Sequence, residues 1–511
     1  MIPKVPILKD YGISPQYGFL PMQLPLEALP DPYYNPWEAI VANLQALLLS
    51  KRLRGLIRAT PVLSTSRLQD LAEWRRAYVL LSFMAHAYIW GGDTPEERVP
   101  PPISIPYLQV CEVLELPPVA TYSAVCLWNF KPIFRDEPID SLDNLSTLAT
   151  YTGSLDESWF YLVSVAIEAR GAPLIPLMLE AIAAARRNDS RTVTNNLQSF
   201  AERLDELGSI LQKMYENCDP HVFYHRIRPF LAGGKNMAEA GLPNGVLFDD
   251  GTDGQEYRQL GGGSNAQSSL IQFFDIILGI EHRPTGEKPR QQSSGSESEG
   301  QAPPSRHNFI HEMRAYMPGP HRRFLEHVST VANIRDFVEN HRRNRDLTIA
   351  FDACLAMLRA LRDKHIQLVS RYIIVKSRES RSGSRSLSPR AAPQPVRQNI
   401  ASATSKVESK SDSSDNSSIH KPNKPASKKL RGTGGTALIP FLKQARDETG
   451  EPAIDAWARR ILSNAPASEE GAPSFAALGK TGEQKDGTVE IVGLAGTWAM
   501  DDSSEGGICH W

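Results

Sequence analysis

The sequence is poor in the residues from which several common kinds of site are built. Its 511 residues include five scattered cysteines, and no two of them form a CxxC pair. This pattern argues against a disulfide framework or a cysteine zinc cluster and is typical of a reducing compartment such as the cytoplasm. The HExxH, GxSxG and Walker patterns are absent as well, which argues against a zinc peptidase, an α/β-hydrolase and a P-loop nucleotidase.

Excess charge and long apolar runs are equally scarce. The 56 Lys and Arg residues nearly balance the 58 Asp and Glu residues, so the formal net charge is -2. This balance gives no basic surface for nucleic acid or an anionic membrane. The sequence has no run of about 18 apolar residues that would predict a transmembrane helix. Its start, MIPKVPILKDYGISPQ, lacks the apolar stretch of a secretory signal. We expect a soluble, cytoplasmic protein that binds neither nucleic acid nor membrane and, without an oligomerisation stripe, a monomer.

Helical periodicity is the strongest pattern in the chain. Apolar residues recur every three or four positions in segments such as LQDLAEWRRAYVLLSFMAHAYIW and NLQSFAERLDELGSILQKMYENC, whereas strand-like alternation is rare. This pattern predicts an all-α fold. The proline-rich PPPISIPYLQV interrupts the helices, which predicts a small N-terminal helical domain at 1–117 and a larger helical domain at 118–376.

Some segments bury too little apolar surface to offset the entropy of ordering. We expect disorder in the polar insert 283–307 and in the serine-rich, basic linker 377–430. A glycine-rich loop and a short helix follow at 431–445, and 446–511 is predicted to be a mostly disordered tail. The linker could be a phosphorylation or interaction segment or a solvated spacer, and biased composition alone favours the spacer.

One histidine lies in the apolar stripe of a long predicted helix, RDLTIAFDACLAMLRALRDKHIQLVSRYIIV. His365 stands between Leu361 and Leu368 on that stripe. A core-facing imidazole needs a hydrogen-bond partner or a metal. Spacing alone favours a hydrogen-bonded core histidine over an axial haem ligand, which would need one inward-facing histidine on a rigid helix.

An aspartate raises the same question in the apolar stretch SSLIQFFDIILGIEH. A carboxylate there must be paired or must lie at an edge of the core. Arg362, one turn before His365, is a candidate partner for Asp275. The pair could be purely structural, and it could also position the His365 helix; the two interpretations are compatible.

Two glycine-rich loops and one arginine complete the candidate features. QLGGGSNAQSS (259–269) leads into the Asp275 helix and offers capping side chains and close backbone approach to a ligand. RGTGGTALIPFLK (431–443) follows the predicted linker, as a mobile lid would; a glycine-rich linker is the alternative for both loops. FYHRIRPFLAGGK places Arg228 beside Phe223 and Phe230, which suits a planar carboxylate ligand but also a surface arginine beside core aromatics.

Taken together, these segments resemble the indoleamine 2,3-dioxygenase family in a fungal form. The resemblance runs from about residue 10 to 376 and resumes at 431–443, with the pieces in the family's order. The pieces are LPDPYYNPW, HAYIWGG, LELPPVATYS, WFYLVSVAIEA, FYHRIRPFLAGG, GGSNAQSS with QFFDIILGI, MRAYMPGPHRRFL, DACLAMLRALRDKHIQLVSRYII and GTGGT.

This resemblance implies an all-α haem enzyme that opens the indole ring of L-tryptophan with O2 to give N-formylkynurenine. That reaction is the first step of the kynurenine pathway, which feeds NAD synthesis. The larger domain would hold one haem b with its iron bound by His365, and an external reductant would be needed. Asp275 and Arg362 would support the haem-binding helices.

The resemblance also implies a substrate site without a general acid or base. Arg228 would pair with the amino-acid carboxylate, and Phe223 would contact the substrate. Three residues would line the distal pocket: Tyr122, Phe160 and Ser164. The loop across the haem edge would consist of Gly263, Ser264, Asn265 and Ala266, of which Ser264 would also contact the substrate. The segment that closes over the substrate would include Thr433, Gly434 and Gly435.

The chain departs from the family pattern in three places. Asn265 is bulkier and more polar than the expected alanine. The insert 283–307 and the linker before GTGGT are larger than in the animal enzymes and would leave the lid on a longer tether, and the tail after 445 has no counterpart in the pattern. An alternative is a non-catalytic haem protein, such as an oxygen carrier or sensor, which would need His365 but neither Arg228 nor Thr433. The sequence retains His365, Arg228 and Thr433, which favours catalysis. A third hypothesis is a helical scaffold without haem.

Overall fold

The computed structural model is built mainly from helices. It describes residues 3–286, 308–383, 433, 438–462, 481–483, 489–493 and 496–500, with backbone alone for 380–383 and from 481 onward. In this part of the chain the helices are α1 (Asn35–Ala42), α2 (Leu44–Leu49), α3 (Leu53–Ala59), α4 (Leu71–Trp90), α5 (Pro101–Leu114), α6 (Leu155–Gly171), α7 (Leu174–Arg186), α8 (Ser190–Gln212), α9 (Met214–Asn217), α10 (Pro220–Val222), α11 (Ser269–Ile277), α12 (Phe309–Arg314), α13 (Gly319–Val331), α14 (Ile334–Asn340), α15 (Arg345–Val369), α16 (Lys376–Gly383), α17 (Leu438–Thr449) and α18 (Ala456–Leu462).

Short strands accompany the helices. They are β1 (Arg98–Val99), β2 (Phe130–Pro132), β3 (Leu145–Thr147), β4 (Val246–Phe248), β5 (Tyr257–Arg258), β6 (Thr481–Glu483), β7 (Val489–Gly493) and β8 (Gly496–Met500). β1 pairs in parallel with β4, which pairs antiparallel with β5. β2 and β3 form an antiparallel pair, and β6, β7 and β8 form an antiparallel sheet. The described fold is therefore all-α in character, as predicted.

The core is continuous across both predicted domains. One hydrophobic cluster extends from Leu8 to Leu462, and α4, which is apolar around most of its circumference, is buried along nearly its whole length. α15 packs along α8, which packs in turn against α7 and α6. The domain boundary after residue 117 stays a prediction, because buried residues on both sides share this cluster.

The long helix α15 forms where the sequence predicts it. Asn344 caps its start by accepting a hydrogen bond from the backbone of Leu347 at 3.3 Å. Its apolar stripe faces α8, and the thiol of Cys354 donates to the carbonyl of Leu197 at 3.1 Å. α15 therefore rests against the core as a rigid support for the residues in its last turns.

Three π-helical turns interrupt the regular helices. They span Ser123–Leu127, Phe223–Ile227 and Ser370–Val375. A π-turn is wider than an α-turn and is frequently found at functional sites. The third turn links α15 to α16, so the helical path continues past the predicted single helix.

Ordered structure extends into two segments predicted to be disordered. α16 lies at the start of the predicted linker, and the predicted tail contains the end of α17, α18 and the β6–β8 sheet. The carboxylate of Asp352 on α15 accepts hydrogen bonds from the backbone of Ile454 and Asp455 at 2.8 and 3.0 Å, and Arg359 bonds the carbonyl of Leu462. Local periodicity does not reveal such long-range contacts. Residues 287–307 and 384–430 of the predicted insert and linker lie outside the described residues.

One stretch passes a length-and-hydropathy test for crossing a membrane. This stretch is Leu155–Arg186, which includes α6 and α7. Its most apolar window of 18 residues has a mean hydropathy of 1.5. However, 72% of that window is buried inside the protein. Packing in the core therefore accounts for its apolar composition.

Candidate active site

A largely apolar cavity lies between α6, α15, α17, the three π-helical turns and the loop before α11. Apolar side chains supply most of its wall: Val125, Phe160, Leu211, Met214, Phe223, Leu231, Phe309, Leu368, Val369, Ile373, Leu438, Phe441 and Leu442. The predicted site residues that line it are Tyr122, Phe160, Phe223, Arg228, Gly263, Ser264, Asn265, Ala266, His365 and Thr433.

The imidazole of His365 lines this cavity and makes no hydrogen bond to any described residue. Burial, followed by the positive charge of Arg362, lowers its pKa to about 4. The ring is therefore neutral at physiological pH and presents a nitrogen lone pair, which is what a metal ion requires.

His86 shows what a hydrogen-bonded core histidine looks like in this protein. It lies on α4, its Nδ1 is 2.7 Å from the carbonyl oxygen of Phe230, and its Nε2 accepts from the backbone of Ala120 at 2.8 Å. Both ring nitrogens have backbone partners, so His86 has no capacity left for a ligand. His86 is therefore the hydrogen-bonded core histidine, whereas the ring of His365 remains able to bind a ligand.

The donor set at the cavity fits haem. Within the described part of the chain no three His, Cys, Asp or Glu side chains are grouped to hold a metal ion. A single histidine on a rigid helix would suit a haem iron, because the porphyrin itself would supply most of the iron's other ligands. The apolar wall matches the planar, apolar body of that group.

Asp275 and Arg362 form the predicted ion pair. Arg362 Nη2 lies 2.6 Å from Asp275 Oδ1, and both side chains are largely buried. Burial alone would raise the pKa of the Asp275 carboxyl, but Arg362 and His282 outweigh it and lower that pKa. The pair ties α11 to α15 one turn before His365, so it can fix the orientation of the ligand helix.

His282 and Glu448 extend this pair into a buried network, and they were missed in the sequence. His282 Nε2 lies 3.1 Å from Asp275 Oδ2, and its Nδ1 lies 2.7 Å from Glu448 Oε2. Burial would lower the pKa of His282, but the charge of Asp275 raises it overall. Arg362 also bonds Thr449. The network therefore joins α11 and α15 to α17, the helix that follows Thr433.

Arg228 is a buried cation at the end of the second π-helical turn. It is only 1% exposed, and its guanidinium lies 5.5 Å from the ring centre of Tyr224. Phe223 and Phe160, with ring centres 4.8 Å apart and tilted by 48°, lie in the same cavity. Phe230 instead stacks on Tyr151 at 4.9 Å. The cavity thus combines an arginine with an aromatic pair, as predicted, but Phe230 belongs to the core.

The two glycine-rich segments meet at Thr433. Its hydroxyl donates to the carbonyl of Gly263 at 2.7 Å, and its own carbonyl accepts from the backbone of Gly262 at 3.0 Å. A Cβ on Gly262 would lie 2.0 Å from the carbonyl oxygen of Leu231, so only glycine permits this approach. Gly434 and Gly435 lie outside the described residues.

Serines rather than Asn265 cap the structure after this loop. Ser264 accepts from the backbone of Ala266 at 3.3 Å, and Ser268 accepts from the backbone of Ile271 at the start of α11. Asn265 is exposed and faces the cavity. Its side chain is thus free to contact a ligand.

Ser164 lies one layer behind the cavity wall. It is 7% exposed and lies beside the side chains of Tyr122 and Cys126. It therefore supports two lining residues rather than lining the cavity itself. One turn further along α6, Glu168 bonds Tyr122 and Ser268. This glutamate was missed, although a carboxylate in an apolar helix is the same signal that pointed to Asp275.

Comparison with known proteins gives a consistent result. A family model of indoleamine 2,3-dioxygenase matches residues 7–452. Indoleamine 2,3-dioxygenase of Saccharomyces cerevisiae is 42% identical over 454 residues, which cover 87% of this chain and 93% of the yeast protein. A 6-hydroxytryptophan 2,3-dioxygenase of Fusarium equiseti is 36% identical over 445 residues, with 87% and 97% covered. Indoleamine 2,3-dioxygenase 1 of Rattus norvegicus is 30% identical over 453 residues, with 88% and 96% covered.

The fold, the cavity and these relatives define the chain as a dioxygenase, an oxidoreductase that adds both oxygen atoms of O2 to its substrate. Within that class, the chain belongs to the indoleamine 2,3-dioxygenase family. The family resemblance that the sequence segments predicted is thereby confirmed, and the non-catalytic alternative gains no support.

Proposed function

We propose that the chain binds one haem b through His365 and opens the indole ring of L-tryptophan with O2, which gives N-formylkynurenine. The observation that carries this proposal is a neutral imidazole without a hydrogen-bond partner, in the same cavity as a buried arginine and an aromatic pair. The product enters the kynurenine pathway toward NAD. We also propose a cytoplasmic monomer that uses an external reductant and binds no membrane or nucleic acid.

The cofactor side of the site consists of a ligand and its supports. His365 would bind the haem iron, and the haem would supply the oxygen chemistry. The ion pair between Asp275 and Arg362 would hold the ligand helix in place. Gly263 to Ala266 would cross the edge of the cofactor, where Gly263 permits close approach of the backbone.

The substrate side of the site separates an apolar surface from a charge. Phe160 and Phe223 present aromatic faces that would pack the indole ring and exclude water. Arg228 would bind the substrate carboxylate, and burial strengthens that ion pair because little water competes for the guanidinium. Because the aromatic pair would hold the indole ring and Arg228 would hold the carboxylate, the substrate's reactive bond would be kept in one orientation.

The described wall of the cavity offers no carboxylate and no second histidine. Burial raises the pKa values of the Tyr122 hydroxyl and the Cys126 thiol far above neutrality, so both stay protonated. The chain therefore contributes binding, orientation and exclusion of water rather than general base catalysis. Thr433, held against Gly263, would close the substrate side.

The decisive experiment measures product from purified, haem-loaded and reduced protein supplied with L-tryptophan and ¹⁸O2. We expect N-formylkynurenine with two ¹⁸O atoms per molecule and no product under nitrogen. A protein that holds haem but forms no product, or incorporates a single labelled atom, would contradict the proposal.

A further inference from the structure

Glu168 is a buried carboxyl group that the proposed mechanism leaves without a role. Phe160, Ser164 and Glu168 are spaced four residues apart on α6, so they share one face of that helix. Phe160 lines the cavity, and Glu168 is only 1% exposed. A carboxyl group is seldom buried without a specific partner, which makes its contacts informative.

Both contacts of Glu168 lead to parts of the active site. Its Oε1 accepts a hydrogen bond from Ser268 Oγ at 2.6 Å and one from the hydroxyl of Tyr122 at 3.1 Å. Its Oε2 is buried and has no hydrogen-bond partner among the described residues. One oxygen atom therefore holds two side chains from two different elements.

Those two side chains belong to a network around the substrate pocket. Tyr122 lines the cavity, and its backbone N–H donates to the side chain of Gln267 at 2.9 Å. Gln267 donates in turn to the carbonyl of Gly262, and the backbone N–H of Gly262 donates to the carbonyl of Thr433. Ser268 caps α11, the helix that carries Asp275. Through Tyr122 and Ser268, Glu168 fixes one wall of the cavity relative to the loop beside the cofactor.

Burial and hydrogen bonding have opposite effects on the protonation of Glu168. Burial raises its pKa to about 7, and the hydrogen bonds from Ser268 and Tyr122 offset only part of that rise. The titratable groups that face it are Tyr122 and Cys126, both of which stay neutral, and no cation among the described residues takes part. The carboxyl group therefore gains or loses its proton near neutral pH.

We propose that Glu168 is a positioning residue for the substrate, because its ionised carboxylate holds Tyr122 and Ser268 in the arrangement that binds L-tryptophan. This inference rests on the proposed function. The ionised form accepts charge-assisted hydrogen bonds, which are roughly twice as strong as neutral ones. The protonated form holds the same two hydroxyl groups more weakly and leaves the pocket looser.

The expected signature is a pH-dependent affinity with a nearly constant turnover number. As pH rises from 6 to 8, the Kd for L-tryptophan should fall by about fivefold, because ionisation of Glu168 makes one hydrogen bond charge-assisted. The turnover number kcat should change little, because Glu168 does not line the cavity. A carboxyl group with a purely structural role would not produce this separation.

The test compares the wild-type protein with Glu168→Gln and Glu157→Gln, all haem-loaded. Calorimetry without O2 gives the Kd for L-tryptophan at pH 6, 7 and 8, and turnover with O2 gives kcat. Glu168→Gln keeps a neutral acceptor, so its Kd should stay at the wild-type pH 6 value throughout. Glu157 is a matched control: it is buried on α6 and accepts from the Tyr161 hydroxyl and the Thr152 backbone, away from the cavity.

Glu157→Gln should lower Tm and keep the wild-type pH dependence of Kd. The proposal fails if Glu168→Gln retains that dependence, or if Glu157→Gln abolishes it equally. Infrared difference spectra between pH 6 and 8 should show a protonated-carboxyl band that Glu168→Gln lacks; the same band in both proteins would also overturn the proposal. Absence of product from the wild type would contradict the proposed function alone, since Kd and the infrared band test Glu168 independently.

Discussion

Two histidines that look alike in the sequence have opposite environments in the fold. His86 and His365 both stand in long apolar helices, yet backbone groups bind both ring nitrogens of His86 and none bind His365. Helical periodicity indicates that a side chain faces inward. It does not reveal whether the inward space holds a carbonyl group or a cavity, because that depends on segments far away in sequence.

Replacement of His365 by alanine should abolish haem binding, because the described chain offers no second imidazole in the cavity. The haem content per chain, read from the Soret absorbance after reconstitution, measures the loss. His221→Ala removes an exposed histidine and should keep full occupancy. Full occupancy with the parent spectrum in His365→Ala would contradict the ligand assignment.

Replacement of Arg228 by alanine should raise KM for L-tryptophan strongly, by roughly a hundredfold, since a buried charge-assisted pair is lost. Arg226 offers a matched control, because it is exposed in the same π-helical turn. Steady-state kinetics should show near wild-type KM for Arg226→Ala. An unchanged KM in Arg228→Ala would rule out its role in binding the carboxylate.

At the scale of elements, helix positions follow from local sequence, but the contacts that order the chain ends do not. α4, α8, α11 and α15 lie where apolar spacing predicts them. The order of α18 depends on Asp352 and Arg359, which belong to α15. In the same way, Glu448 meets His282 only after folding. Pairs of this kind carry no signal in a single sequence, whereas Asp275 and Arg362 were predictable because each stood out in its own helix.

Replacement of His282 by alanine should release α17 from α11. The change leaves Asp275 and Glu448 as buried carboxylates that have lost a shared partner, which should lower the free energy of unfolding by about 2–4 kcal/mol. Urea unfolding measures this loss, and KM should rise because α17 follows the closing segment at Thr433. His311→Ala, at an exposed position near the same network, is the control; an equal loss in both variants would speak against a specific role for His282.

At the scale of the whole molecule, buried neutral histidines should make the protein sensitive to acid. Burial lowers the pKa of His86 to about 4 and that of His321 to about 3, whereas both titrate near 6.5 in the unfolded chain. Because the folded pKa values are depressed, their stabilisation is present above about pH 6.5 and is lost as pH falls toward 4.

The free energy of unfolding should therefore decline by about 1.4 kcal/mol per pH unit for each of these two histidines. Chemical denaturation at intervals from pH 7 to 4 measures the slope. His321→Gln should reduce the slope by one proton, and the exposed variant His221→Ala should not change it. A slope that His321→Gln leaves intact would assign the acid sensitivity to other groups.

The three π-helical turns have a consequence for how pockets of this kind diversify. Each turn holds one residue more than a regular helical turn, and each residue of an α-helix advances the side-chain direction by about 100°. Deletion of one residue from Phe223–Ile227 would therefore redirect Arg228 and everything after it, without any substitution. Single-residue insertions and deletions at these turns are thus a route to new substrates that comparison of aligned positions alone would overlook.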